Sequence, residues 1–508
     1  MPGPGQDKPA SGLEHASARG PSAAPGTGQL RLRLAMLAVA LVGFGAAALG
    51  IGVQALEWAH AAVDEPQYLL TAISLGEDGS VDISDELRTE RWRPFAEVAP
   101  PVQTAVLADG RQVSPHDPLL PLLLALPVRW GGWLAAKWTL ATLNGVLAGT
   151  LLMLAVRRFG VRLAVAAPGV ALAAATAPLA VYGQQVYPEL PAALAVTLAA
   201  LALTGPLRAS GLLAAGAAVT ALPWLSVKYA PVAATLAALA LWRLRPRRRT
   251  ALAGAWLVAG AAYLAIHRAV WGGWTVYASG DEFARGGELG VVGFHPDYPG
   301  RSIRLVGLLV DRDFGLAAWQ PAWLLAVPAV AALVAARPRH WAVLAAPLAA
   351  GWLNATYVAL TMQGYWWPGR QVVVVLPLAA VAVLWWVQRL HPVGRAACAG
   401  LAMAGVGIYL RVLAAGWDRR TTWMHAPDET GLHPVVWWLL PDTRELDGGD
   451  YVRLVLWTVA VLAVLAVSWQ VTRLARLARR PGRHGRSTGR PPGPPAAAGR
   501  TSWTGWRR

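Results

Sequence analysis

The sequence predicts an all-α, polytopic bundle of about twelve membrane-crossing helices, and three observations predict it. Of 508 residues, 55% are hydrophobic and only 14% are charged, whereas ordinary soluble domains carry about 25% charged residues. Apolar runs near the roughly 20-residue length that spans a bilayer recur from Leu32 to Val471. Arginine gathers in alternate connections between those runs, the signature of a chain inserted with its basic loops on one side. The single cysteine, Cys398, excludes an internal disulfide framework and any multi-cysteine zinc site.

Taken in order, the runs place spans at 32–53, 133–156, 162–182, 189–206, 209–224, 228–242, 250–270, 316–336, 341–361, 371–389, 396–415 and 452–472. Residues 1–31 are rich in Pro, Gly, Ser and Ala and read as a disordered terminus, with residues 473–508 as a basic disordered tail. Residues 32–472 form one transmembrane unit. Its first apolar run is long for a removable signal peptide, so it reads as a retained span.

Charge sets the expected orientation. Arg157, Arg158, Arg208, the "RLRPRRR" run from Arg243, Arg337, Arg339, Arg389, Arg395 and the tail all fall on one side. By the positive-inside rule that side and both termini are cytoplasmic. The opposite, outer loops comprise 54–132, the Glu189 turn, 271–315 and 416–450, and they hold 26 of the 28 acidic residues. The formal net charge of +17 is therefore an average over two opposite faces. Anionic lipid head groups account for the basic side, and no aromatic-interleaved basic domain points to nucleic acid. Twenty-six tryptophans against 6 phenylalanines suit an aromatic belt at the membrane surfaces, with sugar or lipid stacking as the second reading for outer-face clusters such as "YWWPGR".

Candidate chemistry lies on the acidic side. After the first span comes "DEPQYLLTAISL", where Asp64 and Glu65 precede a segment suited to a short interfacial helix. Asp64 with Gln67 also matches a helix-capping pattern, with Pro66 in the first turn, so the pair can serve structure, chemistry or both. In "VYGQQVYPEL", Glu189 opens the fourth span beside Gln184, Gln185 and Tyr187. A carboxylate there either complements the helix dipole or faces a polar interior. His116 and Asp117 in "SPHDPLL" join the acids or make a turn.

Cations are scarce on that face, which makes those present informative. Lys228 in "PWLSVKYAP", Arg370 in "YWWPGRQ" and Arg312 in "DRDFG" can snorkel to the interface or ligate an anion, and arginine forks onto phosphate oxygens. A hard divalent cation on Asp64, Glu65, Glu189 or His116 is compatible with oxygen ligation. No P-loop, GxSxG elbow, HExxH helix or dinucleotide turn is present in the sequence.

Five segments together resemble the GT-C superfamily of polytopic membrane glycosyltransferases: "DEPQYLLTA", "YPELPAAL", "LPWLSVKYAP", "DRDFGLAAWQP" and "YWWPGRQVVVVLPL". They run from Asp64 to Leu378 in a common outward placement, with actinobacterial members and, more distantly, the lipid A aminoarabinose and protein mannosyl transferases as the nearest likeness. The resemblance implies a polyprenyl-phosphate-linked sugar as donor, held in or beside membrane lipid. It also implies transfer of a hexosyl or pentosyl group to a glycan, lipid or protein acceptor on the extracytoplasmic face. It makes Asp64, with Glu65 beside it, the catalytic carboxylate and Glu189 the second acid; the need to stabilise phosphate charge then assigns Arg370 and Lys228 as donor-phosphate ligands, with Arg312 in reserve. No long carboxy-terminal outer domain of the kind seen in some relatives is evident. A lipid or solute transporter, drawing on Lys137 and Arg411 within spans, and a non-catalytic cell-envelope scaffold are the competing readings.

Overall fold

The computed structural model describes residues 25–280, 292–293, 295–424 and 438–478. Helix fills most of each of the twelve expected spans, with breaks at 175–178 and at Gln320, and among the described residues no β-strand forms beyond isolated bridges. In chain order the helices begin with α1 (Pro25–Leu49), α2 (Glu65–Glu77), α3 (Ser84–Arg88), α4 (Leu119–Phe159), α5 (Leu163–Ala174) and α6 (Leu179–Tyr182). There follow α7 (Glu189–Leu203), α8 (Ala209–Leu225), α9 (Ala230–Arg243), α10 (Pro246–Val270), α11 (Tyr298–Arg301) and α12 (Arg304–Val310). The last group is α13 (Leu316–Trp319), α14 (Ala326–Ala336), α15 (Trp341–Leu353), α16 (Leu376–Val387), α17 (Pro392–Trp417) and α18 (Gly448–Ala478).

Among the described residues, six helical segments are long and apolar enough to cross a bilayer: Gly28–Leu49, Leu119–Phe159, Pro246–Val270, Arg370–Val387, Pro392–Trp417 and Gly448–Ala478. Shorter apolar helices fill the other expected positions, including α5, α7 and α8. The expected disordered termini lie mostly outside the described residues, as does Trp437, but α1 already begins at Pro25 and α18 continues to Ala478.

One boundary differs from expectation. Leu119 to Trp130, read from sequence as the end of the first outer loop, are helical and run into the second span as a single kinked element. The kink sits at Gly131 (φ −140°, ψ 16°) and Gly132 (φ 61°, ψ −158°). Pro121 and Pro127 obscure this limb in the sequence, because an interior proline removes a backbone donor and normally argues against helix. Here Pro121 falls in the first turn, where it costs no hydrogen bond.

The α4, α7 and α16 helices form the buried centre, whereas α10 and α18 present most of their surface outward. Between apolar helices in lipid, burial alone offers little drive, so close packing and polar contacts decide association. Gly43 on α1 faces Ala148 on α4, and Gly145 on α4 faces the Ala40 carbonyl. Asn144 bridges three helices, donating from Nδ2 to Gly43 O at 2.8 Å and Ala174 O at 3.1 Å. Exposed tryptophans at Trp130, Trp242 and Trp438 fit the expected belt, but Trp271 and Trp367 are buried in the protein.

Two ends of the bundle emerge from the contacts. At one, the 50–118 segment, the 183–188 and 226–229 turns, and the loops around 271–280, 311–315, 354–370, 417–424 and 438–447 meet each other. At the other, arginines of the short connections join neighbouring helix ends, as in Arg162 to Gln388 and Arg243 to Gly205.

Candidate active site

The α2 helix carries the first acid pair. Ten of its thirteen residues are buried, so the expected interfacial helix is packed against α4 rather than laid on a surface. At Gly76 the Ala125 carbonyl lies 2.7 Å from where a Cβ would stand, and Arg129 Nη1 donates to Gly76 O at 2.8 Å. That close approach requires glycine.

Asp64 occupies the N-cap position of α2, yet its side chain makes no capping hydrogen bond. Its backbone neighbour Val63 has φ 58°, a left-handed conformation unfavourable for a β-branched residue and of the sort found where a site holds strain. Released from capping, the carboxylate turns to a cation 306 residues away: Arg370 Nη2 donates to Asp64 Oδ2 at 2.7 Å. Gln103 Nε2 donates to Oδ1 at 3.3 Å, and Gln103 Oε1 lies 3.0 Å from His116 Nε2. His116 stacks on Tyr68 at 4.6 Å. Burial pushes the Asp64 carboxyl up, but the opposing pull of Arg370, aided by His116 and the two hydrogen bonds, prevails and holds it at about 2. Burial lowers His116, against the pull of Asp64.

Glu189 begins α7 and is fully buried. Its Oε1 accepts from Arg370 Nε at 2.9 Å and from Lys228 Nζ at 2.7 Å, while Oε2 has no hydrogen-bond partner. Two carboxylates and two cations thus make one neutral quartet: Asp64, Arg370, Glu189, Lys228. The Asp64 side chain is 17% exposed and that of Lys228 16%, against 0% for Glu189, so the quartet is open at two corners. Gly369, at φ 82°, brings Arg370 in; a Cβ there would stand 2.7 Å from Leu316 Cδ2. The Arg370 guanidinium lies 4.1 Å from the Tyr187 ring centroid and 5.1 Å from that of Trp366, contacts that suit a planar cation.

Other expected residues are placed differently. Glu65, though adjacent to Asp64, faces a separate buried cation. Its Oε1 accepts from Val186 N at 2.7 Å and lies 3.7 Å from Lys137 Nζ, and its Oε2 accepts from Ala62 N at 3.2 Å. Lys137 also donates to Gln184 Oε1 at 3.2 Å, so the lysine that suited a transport pathway is held by an ion pair; Arg411 lies exposed on α17. Asp117 accepts from Val227 N and Tyr263 Oη at 2.8 Å each and lies 3.2 Å from His267 Nε2, fixing the turn that carries Lys228. Gln185 is fully buried. Arg312 engages Asp442, with Nη2 to Oδ2 at 2.5 Å, apart from the quartet.

Two contributors escaped the sequence reading, whereas Trp366 stands in the "YWWPGR" cluster already singled out. Gln103 lies in an irregular segment with no motif, and Asn354, whose Nδ2 donates to Lys228 O at 3.0 Å, sits inside an apolar run. The polar residue within an apolar run was the one available signal. The suggested divalent cation is not favoured at the quartet, whose carboxylates already face cations. Among the described residues, the acids whose oxygens gather as a group of three are Asp78, Asp85 and Glu86.

No family model matches the chain, and no curated protein does. Two solved structures are similar in part, both of ArnT from Cupriavidus metallidurans. The form bound to undecaprenyl phosphate shares 17% identity at a TM-score of 0.45, and the apo form 16% at 0.43. Each alignment covers 89% of this chain and 76% of the other.

Proposed function

We propose that the chain is a GT-C-type membrane glycosyltransferase that moves a hexosyl or pentosyl group from a polyprenyl phosphate to an acceptor hydroxyl on the extracytoplasmic face, with both termini cytoplasmic. The observation that carries the reading is the quartet, in which one guanidinium bridges two carboxylates drawn from distant motifs. Those motifs are the ones whose order resembles the GT-C superfamily.

The chemistry needs few parts. A polyprenyl phosphate departs as a stable anion and requires no general acid, so the site must bind phosphate charge and accept one proton. Donor phosphate competes with Asp64 for the Arg370 fork, while Lys228 supplies a second cation. Losing Arg370 raises the basicity of Asp64, which at about 2 is a poor base while paired. The acceptor oxygen then attacks the anomeric carbon, the bond from that carbon to the phosphate oxygen breaks, and the hydroxyl proton passes to Asp64. Glu189 holds Lys228 and Arg370 in register, Tyr187 supports the guanidinium from beneath, and Glu65 anchors the start of α2. Arg312 and Asp117 serve the surrounding frame.

The test is transfer of labelled sugar from a polyprenyl-phosphate donor in membranes carrying Asp64→Asn. A fall of about 10²- to 10⁴-fold is expected for loss of a general base; wild-type rates in that variant would overturn the assignment. Reconstituted vesicles that move substrate without forming a glycosidic bond would favour a transporter instead.

A further inference from the structure

Away from the quartet, a cavity of about 410 Å³ is enclosed by α5, α16, α17 and the Pro321–Leu325 turn that precedes α14. That volume falls in the range of about 300–1,000 Å³ usual for ligand pockets. Its lining is apolar apart from Gln320, Cys398, Arg162 and Arg395. Leu384 on α16 packs directly on Gly169 of α5 and closes the floor. Pro168 on α5 and Ala399 on α17 line the cavity and are themselves exposed, so it opens sideways between those two helices, where lipid surrounds a bundle.

Charge is confined to one end. Arg162 precedes α5, Arg395 lies in the first turn of α17, and Val387 closes α16, so all three mark the arginine-rich end of the bundle. Arg162 Nη2 donates to Gln388 O at 2.9 Å, whereas the Arg395 guanidinium has no hydrogen bond or ion pair among the described residues. At the other end, Gln320 is already satisfied, with Nε2 donating to Thr176 Oγ1 at 2.9 Å and to Ala402 O at 3.3 Å. At 1.5 Å per residue the lining runs about 16 Å from Arg162 to Ala173 and about 10 Å from Arg395 to Ala402. One leaflet of a bilayer, half of the roughly 30 Å hydrocarbon core, has that depth.

We propose that this cavity holds an acyl chain of an anionic phospholipid whose phosphate is gripped by Arg395 and Arg162. An apolar slot one leaflet deep takes the chain, and a guanidinium without a partner at its mouth takes the charge. A phosphate bound there lies at the opposite end of the bundle from Arg370 and Lys228, so the occupant is a lipid other than one held at the quartet. The site does not depend on the glycosyltransferase reading.

The test uses the full chain in neutral detergent, titrated with phosphatidylglycerol or phosphatidylcholine of matched chains and read by native mass spectrometry. The chain's single cysteine supplies a second readout, because Cys398 lines the cavity and an occupant slows its reaction with a membrane-permeant thiol reagent. One phosphatidylglycerol per chain is expected, favoured over phosphatidylcholine by about thirtyfold, the effect of two arginines near a membrane surface. Arg395→Gln weakens its binding by about fivefold, whereas Arg248→Gln, an exposed arginine outside the lining, leaves it unchanged. Ala399→Trp fills the slot from an exposed position and abolishes binding; Ala396→Trp, exposed on the same helix but outside the lining, does not. Equal binding of the two phospholipids, Cys398 labelling that phosphatidylglycerol does not slow, or tighter binding of a polyprenyl phosphate at the same cavity would each overturn the proposal.

Discussion

At the end of the bundle that carries Asp64, Arg370 and Lys228 meet buried carboxylates; at the opposite end, arginines meet backbone carbonyls. Arg162 donates to Gln388 O at 2.9 Å, Arg243 to Gly205 O at 3.2 Å, Arg248 to Leu207 O at 3.2 Å and Arg476 to Ala335 O at 3.2 Å. The Gln388, Gly205 and Ala335 carbonyls lie at helix C-terminal ends, where a cation contributes about 0.3–1 kcal/mol near the surface, and Leu207 lies in the connection between α7 and α8. Even beside the site, Arg301 and Arg304 follow the carbonyl pattern, donating to Tyr357 O and Ala359 O at 2.7 Å each. Location alone therefore does not separate a structural cation from a functional one. The distinction we propose is a carboxylate partner that donor phosphate would displace.

The difference can be broken most severely at Arg370, after Asp64 itself. Arg370→Lys keeps the charge but not the fork that reaches Asp64 and Glu189 together. Loss of one charge-stabilising donor costs about 10²- to 10³-fold in rate, so initial-rate assays of sugar transfer should fall in that range, and an unchanged rate would remove Arg370 from the site.

The second buried pair behaves as structure. Glu65→Gln leaves Lys137 buried without its counter-charge, a change worth roughly 3–5 kcal/mol of destabilisation. Thermal unfolding should show a large loss, partly restored when Lys137→Met is added; a loss no smaller in the double variant would argue against the pairing.

Protonation sharpens the comparison further. Asp64 is held below its ordinary value of 3.8, at about 2. Its contribution to stability is therefore complete above about pH 4 and is lost as pH falls through 2. Unfolding midpoints of wild type and Asp64→Asn should differ by a constant amount from pH 5 to 8 and converge only in strong acid. Convergence already near pH 6 would mean that Arg370 does not hold the carboxylate. The smallest effect belongs to the opposite end: Arg248→Gln, an exposed carbonyl contact, should shift stability by no more than about 0.5 kcal/mol and leave transfer unchanged. A pronounced loss of transfer there would erase the distinction between the two ends.

Much of this architecture is readable along the chain, for reasons that differ by feature. Span length and arginine placement are local quantities, so the twelve helical positions follow from apolar runs of bilayer length. The limb Leu119–Trp130 was hidden because prolines mask helix when the first-turn position of Pro121 is unknown. Asp64, Glu189, Arg370 and Lys228 stood out because charge is scarce near apolar runs. Their division of labour did not: Asp64 and Glu65 are neighbours in sequence, yet successive helical residues point in different directions, and each meets a different cation.

What the sequence by itself determined is therefore the helical, apolar character of the chain and the separation of acids from most arginines, and it supplied the short roster of charged residues from which the proposed site is drawn. Tertiary structure alone decided which of them meet. Arg370 reaches Asp64 across 306 residues and Glu189 across 181, and Gln103 joins them from a segment without pattern. Hydrophobic length and charge are properties of a segment, but the pairing of buried ions depends on which helices pack together. That is why Glu65 became an anchor and Asp64 an open corner of the site.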